Sequence, residues 1–176
     1  MEASVFIATS VDGFIARENG SVDWLSSAEA VENEDYGFHD FMNSVDVLVM
    51  GHNTFEMVLS FDSWSYGDKP VIILSNHEIE IPENISSKVS RMSGTPHEIV
   101  DRLAKQGFEH LYVDGGKTIQ GFLSAGLIQN LIITRIPILL GSGIPLFGKL
   151  PHDIKLEHLE TKYFTNGLIQ SKYRIQ

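Results

Sequence analysis

The sequence predicts an α/β protein whose central sheet is mostly parallel and ends in an antiparallel hairpin. Short apolar, β-prone runs alternate with helical segments along residues 3–137, the pattern of parallel strands joined by crossovers. Glycines stand where strands pass into helices, at Gly51 and at Gly115-Gly116. The tail then changes rhythm. Residues 154–164 and 168–175 flank Asn166-Gly167, the dipeptide favoured by two-residue hairpin turns.

Taken in order, residues 3–9 predict a buried first strand, and residues 10–27 a Gly-, Asp- and Ser-rich loop with Phe14-Ile15-Ala16 embedded in it. Residues 28–43 suit a helix, with Tyr36, Phe38 and Phe41 irregularly spaced among acids. Residues 45–50 form a second buried strand and residues 53–59 a short helix. Residues 70–74 make a third strand, opened by Pro70, which has no N–H to give a ladder. A minor strand follows at residues 89–92. Thr95, Pro96 and Glu98 then compose a helix start with a capping box, and Gly107 ends that helix. Residues 111–114 read as a strand, 117–125 as a helix stopped by Gly126, and 130–137 as another strand.

Composition narrows the function. A chain of 176 residues with 43% hydrophobic and 20% charged residues suits one domain with a sizeable core, spanning residues 1–176. The absence of cysteine excludes disulfides, thiolate metal sites and a cysteine nucleophile, and fits a reducing cytoplasm. A formal net charge of -10 opposes non-specific nucleic-acid binding. A phosphate site built from backbone amides needs no net positive charge. The N-terminus has no basic signal region, and the most apolar stretch, residues 127–140, is broken by Gln129, Asn130, Arg135 and Pro137. A cytoplasmic protein is expected, with no membrane or nucleic-acid partner and no bound metal.

In open α/β sheets, ligands collect at the carboxyl ends of strands. Three such ends carry suitable residues: Met50-Gly51-His52-Asn53-Thr54, Leu74-Ser75-Asn76-His77 and Asp114-Gly115-Gly116-Lys117-Thr118. Each alone suits an ordinary turn. Three at one edge point to a nucleotide site. The spacing of Gly143 and Gly148-Lys149 imitates a phosphate loop, but Leu150 stands where a hydroxyl is needed, so a structured turn is expected there.

With these motifs placed, the chain resembles the dihydrofolate reductase-like superfamily, most closely the riboflavin-biosynthesis pyrimidine reductase branch. The resemblance rests on Ser10-Val11-Asp12-Gly13-Phe14-Ile15-Ala16, Ser21-Val22-Asp23-Trp24-Leu25 and the Gly51 and Gly115-Gly116 segments. It is reinforced by Pro137-Ile138-Leu139-Leu140-Gly141-Ser142-Gly143-Ile144-Pro145-Leu146-Phe147. It implies a three-layer sandwich that binds NADPH across the sheet edge and passes hydride to a small pyrimidine- or pterin-like heterocycle. By resemblance that substrate is the phosphoribosylamino-uracil of riboflavin biosynthesis. The alternatives are a dihydrofolate- or pteridine-type reductase and a catalytically silent nucleotide-binding domain.

By position, the resemblance places Ala8, Ile15 and Ala16 at the nicotinamide, and Gly51, His52, Asn53 and Thr54 at the pyrophosphate and adenosine side. It places Leu74, Ser75 and Asn76 at the adenosine ribose, and Gly115, Gly116, Lys117, Thr118 and Ile119 at the diphosphate. Many members carry Arg where His52 stands, so NADH is not excluded. Riboflavin reductases carry basic residues where this chain has Glu29, Glu32, Glu34, Asp35 and Asp40. Asp35 stands where folate-reducing members place an acid. Either it is a buried catalytic carboxyl of raised pKa that relays the proton, or it is part of a solvated acidic helix face. Asp12 and Trp24 are expected to line the substrate pocket, Trp24 as a stacking surface or simply as core. The resemblance also implies a homodimer, formed through residues 131–140 and the terminal hairpin, although that run equally suits internal strands.

Overall fold

The computed structural model describes residues 1–29, 31–32 and 34–176. Its elements are β1 (Glu2–Ser10), β2 (Phe14–Ala16), α1 (Phe38–Ser44), β3 (Val47–Gly51), α2 (His52–Leu59), β4 (Val71–Leu74) and β5 (Val89–Met92). They continue with α3 (Pro96–Lys105), β6 (His110–Asp114), α4 (Gly116–Ser124), β7 (Asn130–Ile136), β8 (Ile144–Pro145), β9 (Leu156–Tyr163) and β10 (Ile169–Ile175). One eight-stranded sheet runs β5-β4-β3-β6-β1-β7-β10-β9, while β2 and β8 form a separate antiparallel pair. The strands from β5 to β7 are parallel. Strand β10 then runs antiparallel to β7, and β9 antiparallel to β10, so the terminal hairpin completes the main sheet.

The side-chain alternation of the strands divides the core in two. Val5, Val47, Val49, Leu111, Val113 and Leu131 face Ile99 and Leu103 of α3 and Ile119 and Phe122 of α4. Leu48, Met50, Val71, Ile73 and Tyr112 face the other way, onto Phe41 and Met42 of α1 and Phe55 and Val58 of α2. Burial on both faces explains why the central strands are apolar without alternation. The result is three layers, helices on each side of a sheet.

Helix α3 begins as the sequence predicts. The Thr95 side chain accepts the Glu98 amide at 3.4 Å, and the Glu98 carboxylate accepts the Thr95 amide at 2.8 Å. Thr95→Ala is expected to cost about 1 kcal/mol in urea unfolding, through the midpoint rather than the slope.

Two expectations are corrected. The helix over residues 28–43 is confined to Phe38–Ser44 at its start, with residues 30 and 33 lying outside those described. Tyr36 (φ 58°) and Gly37 (φ 81°) both adopt left-handed backbone, which a continuing α-helix cannot accommodate. Of the acidic residues assigned to that helix, only Asp40 lies on it. The run 131–140 also offers no free edge, because β7 lies between β1 and β10. The free edge on that side is β9, exposed along most of its length, with Tyr163 77% accessible. Among the described residues no helix is long and apolar enough to cross a membrane, and no cluster of side chains has the makings of a metal site.

Candidate active site

The strand order creates a crevice at one point of the carboxyl edge. From β3 the chain passes through α2 to β4 on one side, and from β6 through α4 to β7 on the other. Because β3 and β6 are paired neighbours, their two helices leave in opposite directions and pack on opposite faces. Ligands bind at such a switch point. Neither α2 nor α4 has a side-chain cap, so the first-turn amides of His52, Asn53 and Thr54 and of Gly116, Lys117 and Thr118 face outward without a helix partner. Both helix dipoles present their positive ends there.

The glycines and threonines of the two turns are reciprocal. Gly115, ending β6, lies against the Thr54 hydroxyl of α2, and a β-carbon at Gly115 would overlap that oxygen. Gly51, ending β3, faces Thr118 of α4, where a β-carbon would stand 3.2 Å from Oγ1. At Gly116 a β-carbon would come within 2.9 Å of Ile15 Cδ1, so β2 closes over the diglycine turn. Gly115 also has a φ of 87°, a left-handed value that favours glycine. The donor set has the chemistry a diphosphate needs: paired helix-start amides, the Thr54 and Thr118 hydroxyls between them, and Ile15 as an apolar wall.

Other predicted residues fall into place unevenly. Leu74 is half-buried at the end of β4, and Asn76 is exposed. The Ser75 hydroxyl donates to the His77 carbonyl and accepts the His77 amide, at 2.8 and 3.1 Å, so it chiefly shapes its own turn. The His52 ring stands 3.5 Å from the Glu56 carboxylate. Ile119 is corrected. Its side chain is fully buried and its amide is spent on the Gly115 carbonyl at 2.8 Å, so it holds the turn and offers nothing to a ligand. Lys117 is exposed beside the turn.

Two groups escape the motif reading. Arg91 of β5 donates to the Ser75 carbonyl at 3.1 Å, which places a cation beside the Leu74-Ser75-Asn76 segment. Strand pairing brought it there; only its position on a neighbouring strand could have signalled it. Asp114 accepts the Gly115 amide at 2.7 Å and faces Tyr66, and burial pushes its carboxyl up to about 6 despite those hydrogen bonds.

A cavity of about 390 Å³ opens on the face of β1 and β7 that carries Ala8 and Thr134, at the small end of ligand pockets (~300–1,000 Å³). Phe6, Ile136 and Leu168 give it apolar walls, and Glu29, Asp35, Tyr36 and Asn166 its polar parts. Ala8 therefore belongs to this pocket, and Ile15 to the wall over the diglycine turn. Ala16 is buried beside Gly143, leaving only its backbone to meet a ligand. A wider groove of about 920 Å³ lies near the amino ends of β3, β4 and β6, around Asp46, Lys69 and Glu109, and shares only Asp35 with the pocket.

Three side chains depart from their expected roles. Asp35 lines the pocket, but its carboxylate is exposed and accepts the Gly37 and His39 amides at 2.9 and 2.8 Å. Those bonds, His39 first, hold its pKa below the usual carboxylate value, so it is not a buried acid poised to deliver a proton. Trp24 is only 2% exposed, packed with Ile136 and Leu168 behind the pocket wall, with no free face for stacking. Asp12 accepts the amides of Leu140 and Gly141 at 3.2 and 2.7 Å, tying the loop after β1 to the segment after β7.

Known proteins share this fold. A Shewanella sp. PV-4 structure described provisionally as a riboflavin biosynthesis protein is 46% identical, with a TM-score of 0.94 over 100% of this chain and 99% of that one. The Thermotoga maritima diaminohydroxyphosphoribosylaminopyrimidine deaminase/5-amino-6-(5-phosphoribosylamino)uracil reductase has the same fold at 13% identity and a TM-score of 0.75. There the match covers 99% of this chain and 56% of that larger one. Enterococcus faecalis dihydrofolate reductase matches at 17% identity and a TM-score of 0.69, over 99% of this chain and 96% of that one. The model of the RibD C-terminal domain matches residues 4–170, and the chain belongs to that family.

Proposed function

We propose that this protein is an NADPH-dependent reductase that transfers hydride to a pyrimidine- or pterin-like substrate. The observation that carries the reading is the reciprocal Gly51/Thr118 and Gly115/Thr54 crevice, where two uncapped helix N-termini converge. When bound, the reduced nicotinamide supplies the hydride. The protein's own residues do the rest. The first-turn amides of α2 and α4 hold the diphosphate, and Ile15 covers it. Ala8 and Thr134 floor the neighbouring pocket, where the substrate lies. Asp35, ionised at neutral pH, serves that pocket as an acceptor and a negative charge; the proton that accompanies hydride comes from solvent. Arg91 supplies the charge beside Ser75 and Asn76 that favours a 2′-phosphate, the role His52 is poorly placed to fill next to Glu56.

The family resemblance makes the phosphoribosylamino-uracil of riboflavin synthesis the first substrate to assay. A homodimer joined at the exposed β9 edge, where Leu156, Leu159 and Tyr163 are accessible, is the assembly this surface suits. The experiment is a thermal-shift titration with NADPH and NADH beside an Arg91→Ala variant. Wild-type protein is expected to be stabilised by both dinucleotides and more strongly by NADPH, and Arg91→Ala to lose most of the difference. No shift with either dinucleotide at millimolar concentration would sink the reading.

A further inference from the structure

We infer that the substrate reduced at this site carries no phosphate. The inference rests on the reductase reading and concerns the charge and the spare hydrogen-bonding capacity of the pocket. Two acidic residues, Glu29 and Asp35, are among those lining the cavity, and among the described residues no Lys or Arg is. The amide donors around it are already committed. Asn166 Nδ2 donates to the Glu29 carbonyl and the Tyr36 hydroxyl, at 2.9 and 2.8 Å. Gln170 Nε2 donates to the Tyr36 carbonyl and to Thr134 Oγ1, at 2.9 and 3.0 Å. The amides at the start of α1, which might otherwise receive an anion, are held by Asp35 itself.

Three cations near these residues in sequence have other partners or another face; Lys162, opposite Gln170 in the β9–β10 register, stands 4.0 Å from the Glu160 carboxylate. Arg17 is bound through two bonds of 2.7 and 3.0 Å to Asp23, whose carboxyl those contacts hold down to about 2. Arg135 follows Thr134 directly on β7, so strand alternation sends it to the opposite face of the sheet, where it is exposed. What the pocket keeps in hand is the hydroxyl hydrogens of Thr134 and Tyr36 and the carboxylate oxygens. Acceptors therefore dominate, which suits a ring edge bearing N–H groups and opposes a phosphate dianion.

The test compares one ring in two states: 5-amino-6-(5-phosphoribosylamino)uracil and the same compound after phosphatase treatment. Binding of each to the NADP⁺-saturated protein is measured by calorimetry, and NADPH oxidation is followed separately. The dephosphorylated form is expected to bind at least ~10-fold more tightly, a margin that narrows as salt rises and in Glu29→Gln. Equal or tighter binding of the phosphorylated form overturns the inference and leaves the reductase reading intact. Failure of both forms to bind overturns it as well. A preserved preference in binding without NADPH oxidation by either form upholds the inference and counts against the reductase reading.

Discussion

Gly115→Ala is expected to raise the NADPH dissociation constant by ~100-fold or more, equivalent to about 3 kcal/mol of lost binding. Two penalties act at this position. Backbone at φ 87° and ψ 138° is an essentially glycine-only conformation, costing a residue with a side chain roughly 1–3 kcal/mol. The new methyl would also drive into the Thr54 hydroxyl and push the two helix starts apart, spoiling the convergence of their amides. Gly20→Ala separates these effects. Gly20 has a φ of 85° and open space where its β-carbon would be, so that variant bears the backbone strain alone. It is expected to lose about 1 kcal/mol of stability and no cofactor affinity. Fluorescence titration with NADPH, alongside urea unfolding, distinguishes the two variants. Equal affinity of Gly115→Ala and wild type would remove the crevice as the diphosphate site.

Asp114→Asn is expected to stabilise the protein, and only above the acid range. The carboxyl is raised from 3.8 to about 6 in the folded state because burial opposes its charge. Below pH 4 it is protonated whether the chain is folded or not, and contributes nothing to the balance. Between pH 4 and 6 the folded form keeps a proton that the unfolded form has released, so stability falls as pH rises through that window. Above pH 6 the cost is constant, at about 3 kcal/mol for a shift of this size. Replacing the carboxylate with a neutral amide is therefore expected to raise the melting temperature by ~5 °C or more at pH 8, and to change it little at pH 4. A variant less stable than wild type at both values would show that hydrogen bonding to Gly115 and Tyr66 outweighs desolvation.

The architecture was readable because its signals are local. Runs such as residues 45–50 and 111–114 are apolar on both faces, the mark of a central parallel strand, and Asn166-Gly167 and Thr95-Pro96 state their turn and cap outright. The helix at residues 28–43 was misread because its end is set by the left-handed Tyr36-Gly37 pair, and composition does not reveal a non-glycine residue at positive φ. The two turns of the crevice were legible as glycines after strands. Their mutual approach was not, since it depends on β3 and β6 becoming neighbours across a separation of more than sixty residues. The same holds for Arg91. Asp35, Asp12 and Trp24 were singled out by chemical type, whereas what they do is decided by the partners that folding gives them. Two carboxylates are spent on backbone amides, and the indole is enclosed.

The tether at Asp12 bears on how the proposed crevice would receive a dinucleotide. The loop after β1 is laced to the chain after β7 by the Val11 amide on the Ile138 carbonyl at 2.9 Å, by Asp12 on two amides, and by the Leu146 amide on the Gly13 carbonyl at 3.0 Å. The β2–β8 pair continues the lacing. Ile15 hangs from this laced segment above Gly116. Under the proposed reading, the wall over the diglycine turn is thus a clasp fastened during folding. Its ordering entropy is spent once, when the chain folds, and no longer burdens every binding event.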